Sequence, residues 1–136
     1  MAIRLGFTGT RRGMTDEQRR ACAALLERVR PEEVHHGDAI GADAEMHDLA
    51  RAAGLIVVVH PPLNPSHRAF CTGDRTDPPR PHKARDRAVV DAADLVLGTP
   101  AAPEAEGPHS GTWYTLRYAK RMGKPVVIIW PDGTRG

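Results

Sequence analysis

Three short stretches of this chain combine glycine with hydroxyl, acidic or basic side chains: Gly6-Phe7-Thr8-Gly9-Thr10, Gly37-Asp38-Ala39-Ile40-Gly41-Ala42-Asp43 and Ser110-Gly111-Thr112. Each leads into a segment with helical spacing of its apolar residues. A glycine turn that opens a helix is suited to holding an anion. The first amides of the helix have no partner, the helix dipole adds roughly half a positive charge there, and glycine lets a ligand approach the main chain. Gly9, Thr10 and Arg11 in the first turn, Gly37, Asp38, Gly41 and Asp43 in the second, and Ser110, Gly111 and Thr112 in the third are therefore the expected ligand-binding residues. The first turn is not GxGxxG, and no acidic residue ends the second strand to hold a dinucleotide ribose, which argues against NAD. Asp43 falls in the first turn of its helix, where it caps the helix or holds a ribose hydroxyl. His47, four residues on, lies on the same side as an ion-pair partner or a catalytic group.

The bulk properties leave any anion site local. The chain has 136 residues, with 19 basic and 17 acidic side chains and a formal charge of +2, too even for a polyanion partner recruited by net charge. Cys22 and Cys71 form no CxxC, so neither a disulfide framework nor a structural zinc site is expected, and a reducing cytoplasm is the default location. The separation of His36 and His47 matches no zinc signature, and neither a metal nor a resident cofactor is expected. No apolar run approaches the roughly 20 residues that span a bilayer.

The elements that must position the turns alternate. Ile3 to Phe7 reads as a strand, and Thr15-Asp16-Glu17-Gln18 as a capping box opening a helix that ends at Arg30-Pro31. Val34 to His36 is a second strand, Ala42 to Ala53 a helix closed by Gly54, and Leu55 to Val59 a buried strand. A helix over Lys83 to Ala93, a strand over Asp94 to Leu97, a helix over Thr112 to Met122 and a strand over Pro125 to Trp130 complete the order. This alternation predicts an α/β, Rossmann-like, doubly wound and mostly parallel sheet of about five strands with helices on both faces, as one domain over 1–136. Residues 61–82, with Pro61, Pro62, Pro65, Pro78, Pro79 and Pro81 and no periodicity, read as a lid, a pocket wall or a disordered insertion.

The spacing of Gly37, Gly41, Asp43 and His47 resembles the G-x-x-x-G-x-D-x-x-x-H signature of the SMF/DprA proteins. Ser110-Gly111-Thr112 is similar to the end of the PGGxGT signature of the LOG phosphoribohydrolases. Both groups belong to the SLOG superfamily, and the resemblance runs from Leu5 to about Gly133. It implies a Rossmann-like nucleotide-binding fold, a nucleotide or nucleotide-derived ligand and a homodimer formed through helices. The LOG pattern continues after its GT with a leucine and two glutamates, one of them catalytic, where this chain has Trp113, Tyr114 and Thr115. The family's catalytic arginine finds its nearest match in Lys83-Ala84-Arg85-Asp86-Arg87, which makes Arg85 and Asp43 the catalytic candidates. Three functions stay open on these residues: nucleotide binding, LOG-like cleavage of a nucleoside 5′-monophosphate with a substitute carboxylate, and SMF/DprA-like binding of single-stranded DNA. The even charge balance makes a nucleic acid the least favoured partner.

Overall fold

A computed structural model of the chain describes residues 2–136. Six parallel strands form one sheet in the order β4-β3-β2-β1-β5-β6. The strands are β1 (Arg4–Gly9), β2 (Glu33–His36), β3 (Ile56–Val59), β4 (Arg75–Thr76), β5 (Leu95–Thr99) and β6 (Val126–Ile128). Four helices cross between them: α1 (Asp16–Val29), α2 (Ala42–Ala52), α3 (His82–Asp91) and α4 (Gly111–Arg121). The expected α/β, doubly wound order is the one observed. The sheet winds outward from β1 in two directions, so its switch point lies between β1 and β5.

Each face of the sheet has its own apolar layer. On one face Leu5, Phe7 and Val57 meet Leu25 and Leu26 of α1 and Met46 and Ala50 of α2. On the other, Val96 and Ile128 meet Val90 of α3 and Trp113, Leu116 and Ala119 of α4. The helix ends follow local chemistry. Thr15 Oγ1 accepts from the Gln18 amide while Gln18 reaches back to the Thr15 amide, the reciprocal cap that stops the helix from fraying. Gly54 and Gly123, at φ 74° and 73°, take the left-handed turns that follow α2 and α4.

The sheet has one strand more than the sequence pattern suggests, because 61–82 is ordered. Asp74 accepts from the Val57 amide (2.8 Å) and from Arg51 Nη1 (2.7 Å), and so lays Arg75 and Thr76 beside β3. Those links come from side chains, which hydrophobic periodicity does not register. At the opposite edge the chain turns back after Trp130, so that the Gly136 amide donates to the Ile128 carbonyl (2.9 Å). Ile129 and Arg135 pair there in antiparallel fashion.

Candidate functional site

A cleft of about 540 Å³ opens at the switch point, between the turn that follows β1 and the loop that joins β5 to α4. Open α/β sheets place ligands at this position, outside the carboxyl ends of the strands. Gly9, Thr10, Arg11, Asp43, Arg85, Ser110, Gly111 and Thr112 line it, together with Arg12 and Asp86. Gly37, Asp38 and Gly41 do not. A side chain at Gly9 would run into Thr99 Oγ1 and the Ala42 methyl, so the first turn passes through a gap that only glycine fits.

The second turn is used mostly by the protein itself. Asp38 is fully buried; its Oδ2 accepts from Arg68 Nε (2.6 Å) and its Oδ1 from the Cys71 amide (2.8 Å), both in the proline-rich segment. Gly37 lies under the guanidinium of Arg85, whose Nη1 would be 2.6 Å from an added Cβ. Gly41 has φ 94° and is backed by the carbonyl of Arg11. Asp43 is different. Its Oδ2 accepts from the Ala39 amide (3.1 Å), but its Oδ1 is buried and has no hydrogen-bond partner. Burial pushes this carboxyl up to about 7, against the opposing pull of the Arg85 cation.

Arg85 is held on three sides. Nη1 donates to the Gly37 carbonyl, Nε to Asp86 Oδ1 (2.8 Å) and Nη2 to His82 Nδ1 (3.2 Å). Asp86, which the motif comparison passes over, brings a second carboxylate to the cleft wall, and burial raises its pKa. A helical reading of α3 contains the signal. Asp86 precedes Val89, Val90 and Ala93 at helical spacing, so an acid stands on the apolar stripe of the helix.

The third turn keeps its main chain available. Ser110 Oγ accepts from the Trp113 amide (3.1 Å), and the Gly111 and Thr112 amides find no protein acceptor among the described residues. The nearest atom to a Cβ added at Gly111 would be Asp86 Oδ2, 3.9 Å away. Trp113 is core: its Nε1 donates to the Ala102 carbonyl (3.0 Å) and its ring packs 6.0 Å from that of Trp130. Tyr114 OH accepts from Arg87 Nη1 (2.8 Å). The two cations of the first turn, Arg11 and Arg12, take part in no ion pair among the described residues; the Arg12 amide donates to Thr10 Oγ1 (3.1 Å), which fixes the turn.

His47 pairs with His36 rather than with Asp43. His36 Nδ1 accepts from the Asp38 amide (2.9 Å), so its proton is on Nε2, which donates to His47 Nδ1 (3.0 Å). Burial, with the neighbouring His47, lowers His36 to about 3 and keeps it neutral. One nitrogen of each ring and Cys71 Sγ lie within 4.8 Å of one another, the reach of a metal ion. An ion on His36 Nε2 would move the proton to Nδ1, against the Asp38 N–H. Ligating histidines instead donate that proton to an acceptor. The two histidines form a hydrogen-bonded link from β2 to α2, and Cys71 of the proline-rich segment lies beside them.

No protein-family model matches the chain, and no curated protein matches it. Solved structures do. TM1055 is 20% identical with a TM-score of 0.69, over 93% of this chain and 72% of that one. The molybdenum cofactor binding protein of the phototrophic bacterium Rippkaea orientalis is 17% identical with a TM-score of 0.75, over 97% and 78%. DNA processing protein A (DprA) of Streptococcus pneumoniae is 14% identical with a TM-score of 0.67, over 93% of this chain and half of its own length. At these identities the likeness speaks to fold. No helix of the described residues is long and apolar enough to cross a membrane. With a sheet wound from β1 in both directions and a cleft at its switch point, the chain shares the Rossmann-like α/β fold of these structures.

Proposed function

We propose that the chain binds a nucleotide or a phosphorylated nucleotide derivative in the cleft between β1 and β5. The phosphate lies against the free Gly111 and Thr112 amides with Arg11 and Arg12 beside it, and a sugar hydroxyl donates to Asp43 Oδ1. The observation that carries this reading is Asp43, a residue of the same cleft wall as those amides, whose Oδ1 is buried and without a hydrogen-bond partner. A buried acceptor left without a donor costs about 1–3 kcal/mol, and a ligand hydroxyl relieves that cost. The volume suits one small ligand. Of the neighbours, one is named for binding a molybdenum cofactor and another for processing DNA. Titration calorimetry with nucleoside monophosphates, cyclic nucleotides and ADP-ribose tests the reading. Heat and a raised melting temperature with at least one ligand are expected. Neither signal with any of them removes the proposal.

A second reading, hydrolysis of the N-glycosidic bond, is favoured by one observation: Asp86 puts a carboxylate in the cleft although α4 lacks the glutamates of the LOG pattern. With its raised pKa, Asp43 would protonate the leaving base, and Asp86, held by Arg85, would face the cationic sugar. Chromatography for free base after incubation with AMP checks this. Base release that Asp86→Asn and Asp43→Asn both abolish would support it; release at the wild-type rate in both variants would refute these roles.

A further inference from the structure

His82, the first residue of α3, lies where three parts of the molecule meet. Its Nδ1 faces Arg11 Nη2 (3.4 Å) from the turn after β1 and Arg85 Nη2 (3.2 Å) from its own helix. Its Nε2 faces His67 Nδ1 (2.8 Å) from the proline-rich segment. The proton positions follow from the donors. A guanidinium has no acceptor, so Nδ1 must offer its lone pair, Nε2 must carry the hydrogen, and His67 Nδ1 must accept it. Lys83, the next residue, lies over the Tyr114 ring with its Nζ 5.5 Å from the centroid. Asp86 Oδ1 accepts from Arg85 Nε, and its carboxylate acts on Arg11 only through space, with no ion pair between them. The ring therefore faces two cations and one histidine nitrogen, and burial together with these cations lowers its pKa, which favours the neutral ring.

The arginines that brace the fold end on carboxylates: Arg68 on Asp38, Arg19 on Glu45, Arg51 on Asp74 and Arg75 on Glu33. Arg11 ends on an uncharged ring. An ion pair would orient its guanidinium and cancel its charge at once, whereas a neutral acceptor orients it and leaves the charge for an anion. We propose that His82 is a positioning residue that holds Arg11 at the cleft through a neutral nitrogen, so that the guanidinium remains free to bind the ligand's phosphate. This rests on the reading of the cleft as a nucleotide site.

The experiment is calorimetric titration of AMP into the full chain and its variants, with the melting temperature of each recorded. Arg11→Ala and His82→Leu are each expected to weaken AMP about tenfold, the scale of one charge-assisted hydrogen bond. The double variant should be no weaker than Arg11→Ala alone, because the two residues act as a unit. His82→Asn puts an amide oxygen where Nδ1 stands and should restore affinity to within about threefold of the wild type. His82→Asp, which neutralises Arg11, should bind as poorly as His82→Leu while melting no lower than the wild type. Wild-type affinity in His82→Leu or His82→Asp, additive losses in the double variant, or no recovery in His82→Asn would each overturn the proposal. A wild-type chain that binds none of the nucleotides removes the functional reading itself, and that result is distinct from wild-type binding that ignores His82.

Discussion

The turns at 37–43 and 110–112 have the same outline, glycine before a helix at the carboxyl end of a strand, and opposite uses. In the first, an added methyl group would meet Arg85 at Gly37 and the Arg11 carbonyl at Gly41, and both oxygens of Asp38 hold the proline-rich segment. In the second, nothing but Asp86 Oδ2 comes within 4 Å of the Cβ position of Gly111, and two amides stay free. A glycine motif thus records close approach without saying what approaches. At 37–43 it is the chain itself; at 110–112 there is room for a ligand.

Substitutions can break that contrast. Gly41→Ala forces a backbone at φ 94° that side chains rarely adopt, against the Arg11 carbonyl, and should cost about 3 kcal/mol or more by urea denaturation. Asp38→Ala should cost about 2 kcal/mol, since it strands the Arg68 guanidinium and the Cys71 amide, and it should speed proteolysis within 61–82. Asp43→Asn has a sign that depends on pH. The Asp43 carboxyl stands near 7 when folded and near 3.8 when unfolded, so between these values the folded chain keeps a proton that the unfolded chain has lost. Its contribution to stability is complete below the unfolded value, declines across the window and is lost above about 7. The variant's stability relative to wild type should therefore rise from about pH 4 to about pH 8, by ~1 kcal/mol or more, while nucleotide affinity falls. The smallest effect on folding is expected for Gly111→Ala, within about 0.5 kcal/mol of wild type, with nucleotide affinity lost at the same time. A large loss of stability there would erase the distinction between the two turns.

The elements that surround the site were legible because their signals are local. The Thr15–Gln18 capping box, the glycines closing α2 and α4 and the alternation of strand and helix depend on neighbours in sequence, and the chain uses them as read. The β4 strand was hidden because it exists through Asp74 and Arg51, side chains from elements the sequence does not visibly connect. The role of Asp38 was hidden for the same reason: Arg68 lies 30 residues away. Motif spacing groups Gly37, Asp38 and Gly41 with the ligand-binding residues, whereas from this turn Ala39 and Asp43 are the ones that line the cleft. Asp43 was placed in the cleft by the same spacing, yet its unpartnered oxygen is a property of packing that composition does not register.

The chain's return along β6 has a consequence for self-association. With Gly136 donating to Ile128, part of the outer border of β6 is already hydrogen-bonded, and at the opposite border β4 is two residues long and followed by Pro78 and Pro79. Neither border offers a long open ladder to another molecule. A shared extension of the sheet is therefore a poor route by which two copies of this chain could join.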